Sequence, residues 1–161
     1  MNENSVRCAI VSALCQLSLN ENHLIQANAH ERSVSHHLAK YLESFFPEYD
    51  VDVEYNRVGR DSKTINDKCR RLILKEVDNK DCTEQSESED YKQHVYPDII
   101  VHRRGTNDNI IAIELKVNSN DQTKIETDKC KLGLYKAELN YQHVVFVNIN
   151  TNVTRSTVEF I

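Results

Sequence analysis

Three charged residues whose side chains could act together in chemistry lie on two neighbouring apolar segments. Asp98 belongs to the apolar run 96–103, and Glu114 and Lys116 lie two apart in the run 110–117. A segment rich in turn-forming residues separates the runs, which predicts a β-hairpin. Because side chains alternate along a strand, we expect Asp98, Glu114 and Lys116 to share one face of that hairpin.

Neighbouring carboxylates repel each other, and a charge pair is unusual in the middle of an apolar strand. A divalent cation resolves both difficulties for Asp98 and Glu114. Mg²⁺, for which Mn²⁺ is expected to substitute, suits one or two carboxylates completed by water and phosphate oxygens better than zinc does. Lys116 could then orient an attacking water and stabilise charge on a phosphate. The alternative is a solvated sheet face on which Glu114 and Lys116 serve only solubility.

Two further acids lie on the apolar stripes of predicted helices. Glu31 falls within roughly 40° of the centre of its stripe and should face the sheet. A carboxylate near a helix amino terminus is also favoured by the helix dipole alone. Asp128 lies on the stripe of a later helix and requires a partner if buried. It could anchor Lys116 or another base from behind the site, or accept only backbone and water hydrogen bonds.

Lys129 and Lys131 flank the stripe that carries Asp128. Contact with nucleic-acid phosphates is one interpretation of these lysines. Solvated charges on a helix surface are the default explanation.

The hydrophobic periodicity predicts helices and strands in an order that suits an α/β fold. The predicted elements are helices at about 5–19 and 27–46, a strand at 51–55, the hairpin at 96–117, a helix at about 121–139, and strands at 143–149 and 157–161. We therefore expect a mixed central β-sheet flanked by helices.

The chain of 161 residues carries a net charge of -5, which is unusual for a protein that binds nucleic acid. Residues 76–90 contain seven acids and one base, so the rest of the chain is near neutral. The part at about 78–90 predicts a mobile acidic loop within a single domain spanning 1–161.

No membrane-spanning run or export signal is visible, so a cytoplasmic protein is expected. The five cysteines lack a closely spaced pair, and free thiols are expected.

Tyr96-Pro97-Asp98-Ile99-Ile100-Val101-His102 followed by Ile113-Glu114-Leu115-Lys116 resembles the PD-(D/E)xK nuclease superfamily, which includes many restriction endonucleases and repair nucleases. Glu54-Tyr55-Asn56-Arg57 ahead of the hairpin is similar to a pattern in small bacterial members. The resemblance implies a restriction-endonuclease-like core with a sheet of about four strands. It also implies metal ligation by Asp98, Glu114 and the Leu115 carbonyl, with Glu31 as a further acid, and Lys116 as the catalytic base or water-positioning group.

The resulting expectation is a magnesium-dependent phosphodiesterase that acts on nucleic acid, with DNA favoured over RNA, in defence, repair or mobile-element biology. The alternative is an inactive protein of the same fold that binds nucleic acid or a partner protein. With one site per chain, cutting both strands of a duplex requires a homodimer or two encounters, and the sequence favours neither.

Overall fold

The computed structural model describes residues 1–58, 61–66 and 92–161 of the chain. The loop predicted at about residues 78–90 lies outside these ranges.

The amino-terminal part of the chain is helical. Helix α1 spans Glu3–Asn20, and the Asn2 side chain caps it by accepting a hydrogen bond of 2.8 Å from the Ser5 amide. Helix α2 spans Asn22–Gln26, and helix α3 spans Glu31–Glu43. The second predicted helix therefore begins later than expected, because Asn28 adopts a left-handed φ of 51° and interrupts the helical backbone.

The central sheet is mixed and has five strands. In their order across the sheet they are β1 Asp50–Val53, β6 Ile99–His102, β7 Asn109–Val117, β8 His143–Ile149 and β9 Thr157–Phe160. The pairing of β6 with β7 confirms the predicted hairpin, and β9 is the strand beyond the implied number of about four.

Two small two-stranded sheets accompany the central one. In the first, β2 Arg57–Val58 pairs with β3 Asp61–Ser62. In the second, β4 Thr64–Asn66 pairs with β5 Lys92–His94. Strand β5 of the second sheet is followed by the short segment that leads to Asp98.

Strands β7 and β8 are parallel, so the connection between them must cross over the sheet. Helix α4, Gln122–Glu138, makes this crossover, and the Asp121 side chain caps it by accepting a hydrogen bond of 3.2 Å from the Lys124 amide. Helix α4 packs on β7 and β8. The fold therefore places α4 directly over the strand that carries Glu114 and Lys116.

Apolar side chains fill both faces of the central sheet. Ile99, Ile113 and Val145 belong to the core shared with α1 and α3. Ile100 and Ala112 point to the other face, where α4 contributes Leu132 and Tyr135 to a second core. Full burial of a large aliphatic side chain contributes about 1.5–3 kcal/mol, so these two cores hold the helices onto the sheet.

Cys8 and Cys15 are free and exposed, whereas Cys130 is disulfide-bonded. The expectation of five free thiols is therefore wrong for Cys130, because spacing along the chain does not show which side chains meet in the fold. None of the helices within the described ranges has the length and apolar character that a membrane crossing requires.

Candidate functional site

The β6–β7 ladder determines the positions of the two hairpin carboxylates. Ile99 pairs with Ile113, so Asp98 and Glu114 lie one step further along the same ladder. Asp98 Oδ2 accepts a hydrogen bond of 2.8 Å from the Leu115 amide. The hairpin therefore brings Asp98 to the part of β7 that carries Glu114.

Glu114 lies in an apolar environment and is not on a solvated face. Its residue exposure is only 5%, and its neighbour on β8 is Phe146. Its Oε1 accepts a hydrogen bond of 2.8 Å from the Tyr135 hydroxyl on α4. Placement of Glu114 for solubility is inconsistent with this burial.

Burial is the main influence on both carboxyl groups. It raises the pKa of Asp98, with smaller contributions from the charges of Asp128 and Glu31, against the opposing effects of the Leu115 amide and Lys116. It also raises the pKa of Glu114 well above the ordinary value, and the nearby Asp98 charge adds to that shift. Both groups therefore favour a proton or a neutralising cation.

Lys116 is surrounded by oxygen atoms. Its Nζ lies 2.7 Å from Asp128 Oδ2 and 3.2 Å from Glu31 Oε2, and it donates to the Leu115 carbonyl at 3.3 Å. Burial opposes the charged form, but Asp128 and Glu31 outweigh it and raise the pKa of Lys116. Lys116 is therefore a fixed ammonium group, which suits orienting water and stabilising charge better than accepting a proton.

Asp128 connects two lysines on the buried side of α4. The residue is 5% exposed, and its Oδ1 lies 2.7 Å from Lys131 Nζ while its Oδ2 contacts Lys116. Of the two interpretations for Asp128, the structure shows the anchor for Lys116. Lys129 points elsewhere and pairs with Glu159 on β9 at 2.9 Å.

Tyr135 on α4 is a further residue of this site, which the sequence alone did not single out. It is 1% exposed and holds Glu114 through its hydroxyl group. Burial and the Glu114 charge raise the pKa of Tyr135, so the phenol remains a donor at neutral pH. A signal was present in the sequence, because Asp128 and Tyr135 are seven residues apart and so share a helical face.

The oxygen atoms of this site determine which metal ion it could hold. In the described ranges, no group of three or more His, Cys, Asp or Glu side chains is arranged to hold a metal. Glu31 is engaged with Lys116, and its role as a metal ligand stays a prediction. Asp98, Glu114 and the Leu115 carbonyl are hard oxygen donors of the type that Mg²⁺ prefers, and this ion needs only one or two carboxylates from the protein.

Comparison of the chain with protein-family models, with curated proteins and with solved structures finds no match.

Proposed function

We propose that the chain is a metal-dependent nuclease with a restriction-endonuclease-like core of the PD-(D/E)xK type, which hydrolyses phosphodiester bonds of DNA. Mg²⁺ is the proposed cofactor, and Mn²⁺ is expected to replace it. We propose a cytoplasmic role in defence, repair or mobile-element biology, on the resemblance of the hairpin motif.

The observation that supports this proposal is the adjacency of two carboxylates, Asp98 half-buried and Glu114 buried, that share no ion pair with a base in the described residues. Asp98 and Glu114 accept hydrogen bonds from an amide and a phenol, both uncharged donors. The nearby lysines pair instead with Asp128 and Glu31. A pair of anions that is at least half-buried and accepts hydrogen bonds only from neutral donors is costly, and a divalent cation would remove that cost.

The charges of the whole cluster support the same proposal. Asp98, Glu114, Asp128 and Glu31 are opposed by the two ammonium groups of Lys116 and Lys131. If all six groups are ionised, two negative charges remain in excess. One divalent cation would balance them.

The proposed mechanism assigns a role to each side chain. Asp98, Glu114 and the Leu115 carbonyl would hold the metal, whose chemistry is to polarise a phosphate and lower the pKa of a bound water. Tyr135 fixes the Glu114 carboxylate, and Asp128 with Glu31 keeps Lys116 charged. Lys116 would orient water and stabilise negative charge that develops on phosphorus oxygens.

One contact favours the alternative of an inactive binding protein. The Lys116 ammonium already contacts the Leu115 carbonyl and Glu31, which are both expected metal ligands. A lysine that satisfies these oxygens permanently would leave the site without need of a metal. A calorimetric metal titration separates the alternatives, because the inactive protein should bind neither Mg²⁺ nor Mn²⁺.

The proposal is tested by cleavage of labelled DNA with millimolar Mg²⁺. Asp98→Ala, Glu114→Ala and Lys116→Ala should each lose activity by at least about a hundredfold, the usual scale for removing one catalytic group. The matched controls are Glu126→Ala and Lys129→Ala, which remove an acid and a base from α4 outside the cluster. Full activity in Glu114→Ala would overturn the proposal.

A further inference from the structure

We propose that Lys131 acts with Lys116 as a second phosphate-binding cation, the two ammonium groups being held on opposite oxygens of the Asp128 carboxylate. This inference rests on the proposed function and deepens it. It assigns phosphate contact to Lys131 and excludes Lys129 from that role.

The geometry that carries the inference is a shared carboxylate. Asp128 Oδ1 lies 2.7 Å from Lys131 Nζ, and Asp128 Oδ2 lies 2.7 Å from Lys116 Nζ. Because Asp128 is buried at 5% exposure, its carboxylate is a fixed support. It therefore ties two positive groups to one fixed side chain.

Lys131 also lies within electrostatic reach of Glu114. Burial opposes its charged form, but the charges of Glu114 and Asp128 outweigh burial and raise the pKa of Lys131. Its side chain is 37% exposed, compared with 13% for Lys116. Lys131 is therefore the more accessible of the two ammonium groups for a phosphate arriving from solvent.

Lys129 differs from Lys131 although only one residue separates them. Two helical positions correspond to a rotation of about 200°, so the two side chains leave α4 in nearly opposite directions. The Lys129 Nζ pairs with Glu159 at 2.9 Å and lies 5.7 Å from the centre of the Phe146 ring. The Lys129 Nζ also lies 3.9 Å from Glu126, so Lys129 is held by carboxylates outside the cluster and serves as the control for Lys131.

The excess of carboxylates limits when Lys131 can bind phosphate. With every group ionised the cluster is anionic and repels nucleic acid. Once a divalent cation balances the two excess negative charges, the cluster is neutral and no longer repels the phosphate that contacts Lys116 and Lys131. The contribution of Lys131 to nucleic-acid binding should therefore appear with a divalent cation and disappear with a chelator.

The test measures how binding of a fluorescein-labelled DNA duplex depends on salt, by fluorescence anisotropy in Ca²⁺, with a gel to verify that the DNA stays intact. Each phosphate contact contributes about -0.9 to the slope of log K against log salt concentration. Lys131→Met should reduce the magnitude of that negative slope by about 0.9, whereas Lys129→Met and Lys131→Arg should leave the slope unchanged. With chelator, Lys131→Met and the parent should have the same slope.

Two results overturn the inference: equal slopes for Lys131→Met and the parent in Ca²⁺, or equal losses in Lys131→Met and Lys129→Met. Thermal unfolding verifies that each variant is folded, and Lys131→Gln, whose amide can still donate to Asp128, replaces Lys131→Met if the latter does not fold.

If the parent cleaves DNA in Mg²⁺ while replacement of Lys131 leaves the salt dependence of DNA binding unchanged, only this inference is refuted. A parent that neither binds nor cleaves nucleic acid refutes the proposed function and this inference together.

Discussion

Replacement of Glu114 by glutamine should make the metal-free protein more stable, and increasingly so as the pH rises. Glutamine keeps the oxygen that accepts the Tyr135 hydroxyl bond and removes the buried negative charge. Its amide group can also donate to a neighbouring carboxylate. The substitution therefore isolates the charge of Glu114 from its packing.

The direction in which the stability difference between Glu114→Gln and the parent changes with pH follows from proton linkage. Burial and Asp98 raise the pKa of Glu114 in the folded state above its ordinary value of 4.5. Between that value and the raised pKa, the folded state binds more protons than the unfolded chain. The stability that protonated Glu114 contributes is complete below 4.5 and is lost as the pH rises through the folded pKa.

The free energy of unfolding of the parent changes most steeply with pH between 4.5 and the raised pKa of Glu114. One group that is protonated only in the folded state changes the free energy of unfolding by about 1.4 kcal/mol for each pH unit. For a chain of this size, that corresponds to roughly 3–5 °C in melting temperature per pH unit. The melting temperature of Glu114→Gln should therefore increasingly exceed that of the parent as the pH rises above 5.

Thermal unfolding of both proteins in chelator, from pH 5 to pH 8, measures the effect. Glu48→Gln is the control, because it removes an exposed carboxylate from the turn after α3. Its melting curve should follow that of the parent at every pH. Parallel curves for the parent and Glu114→Gln would refute the assignment of a buried, strained charge to Glu114.

Three other perturbations have definite expected outcomes. Saturating Mg²⁺ should stabilise the parent by about 2.7 kcal/mol at a hundred times the dissociation constant and should not stabilise Glu114→Ala, as measured by melting temperature; equal shifts in both proteins would place the metal elsewhere. Tyr135→Phe should cost about 1 kcal/mol and raise the pKa of Glu114 further, because it removes the hydroxyl bond; denaturant titration at several pH values tests this. Lys63 has no exposed surface, and burial lowers its pKa to about 8, so Lys63→Met should stabilise the protein at pH 7 by about 2 kcal/mol after allowance for the lost bond to the Tyr55 carbonyl. Between pH 8 and 10.5, the ordinary pKa of a lysine, the unfolded parent binds more protons than the folded one, so the parent should become more stable as the pH rises. A loss of stability over that range would contradict the lowered pKa of Lys63.

Elements with a long, regular hydrophobic period were predictable from the sequence. The predicted strand 143–149 coincides with β8, and the helix predicted at 121–139 agrees with α4 to within one residue at each end. The start of α3 was not predictable by this route, because it depends on the left-handed backbone at Asn28. A single residue of that kind leaves no trace in a periodic pattern.

The arrangement of the site was predictable to the extent that it follows from periodicity. A period of two places Asp98, Glu114 and Lys116 on one face of the hairpin, and a helical period directs Asp128 towards the sheet. The contacts of Tyr135 and Lys131 depend on how α4 is rotated and docked on β7. That docking is determined by packing between distant parts of the chain, which no local pattern encodes.

The measurement that tests the central claim most directly is the cleavage of nucleic acid by the purified parent protein. Linear duplex, closed circular and single-stranded DNA, with RNA in parallel, would be incubated with Mg²⁺, Mn²⁺ or chelator and analysed on gels. We expect phosphodiester cleavage of DNA with either metal and none with chelator. An intact set of substrates under every metal condition, from a protein shown to be folded by thermal unfolding, would contradict the claim and favour the inactive binding protein.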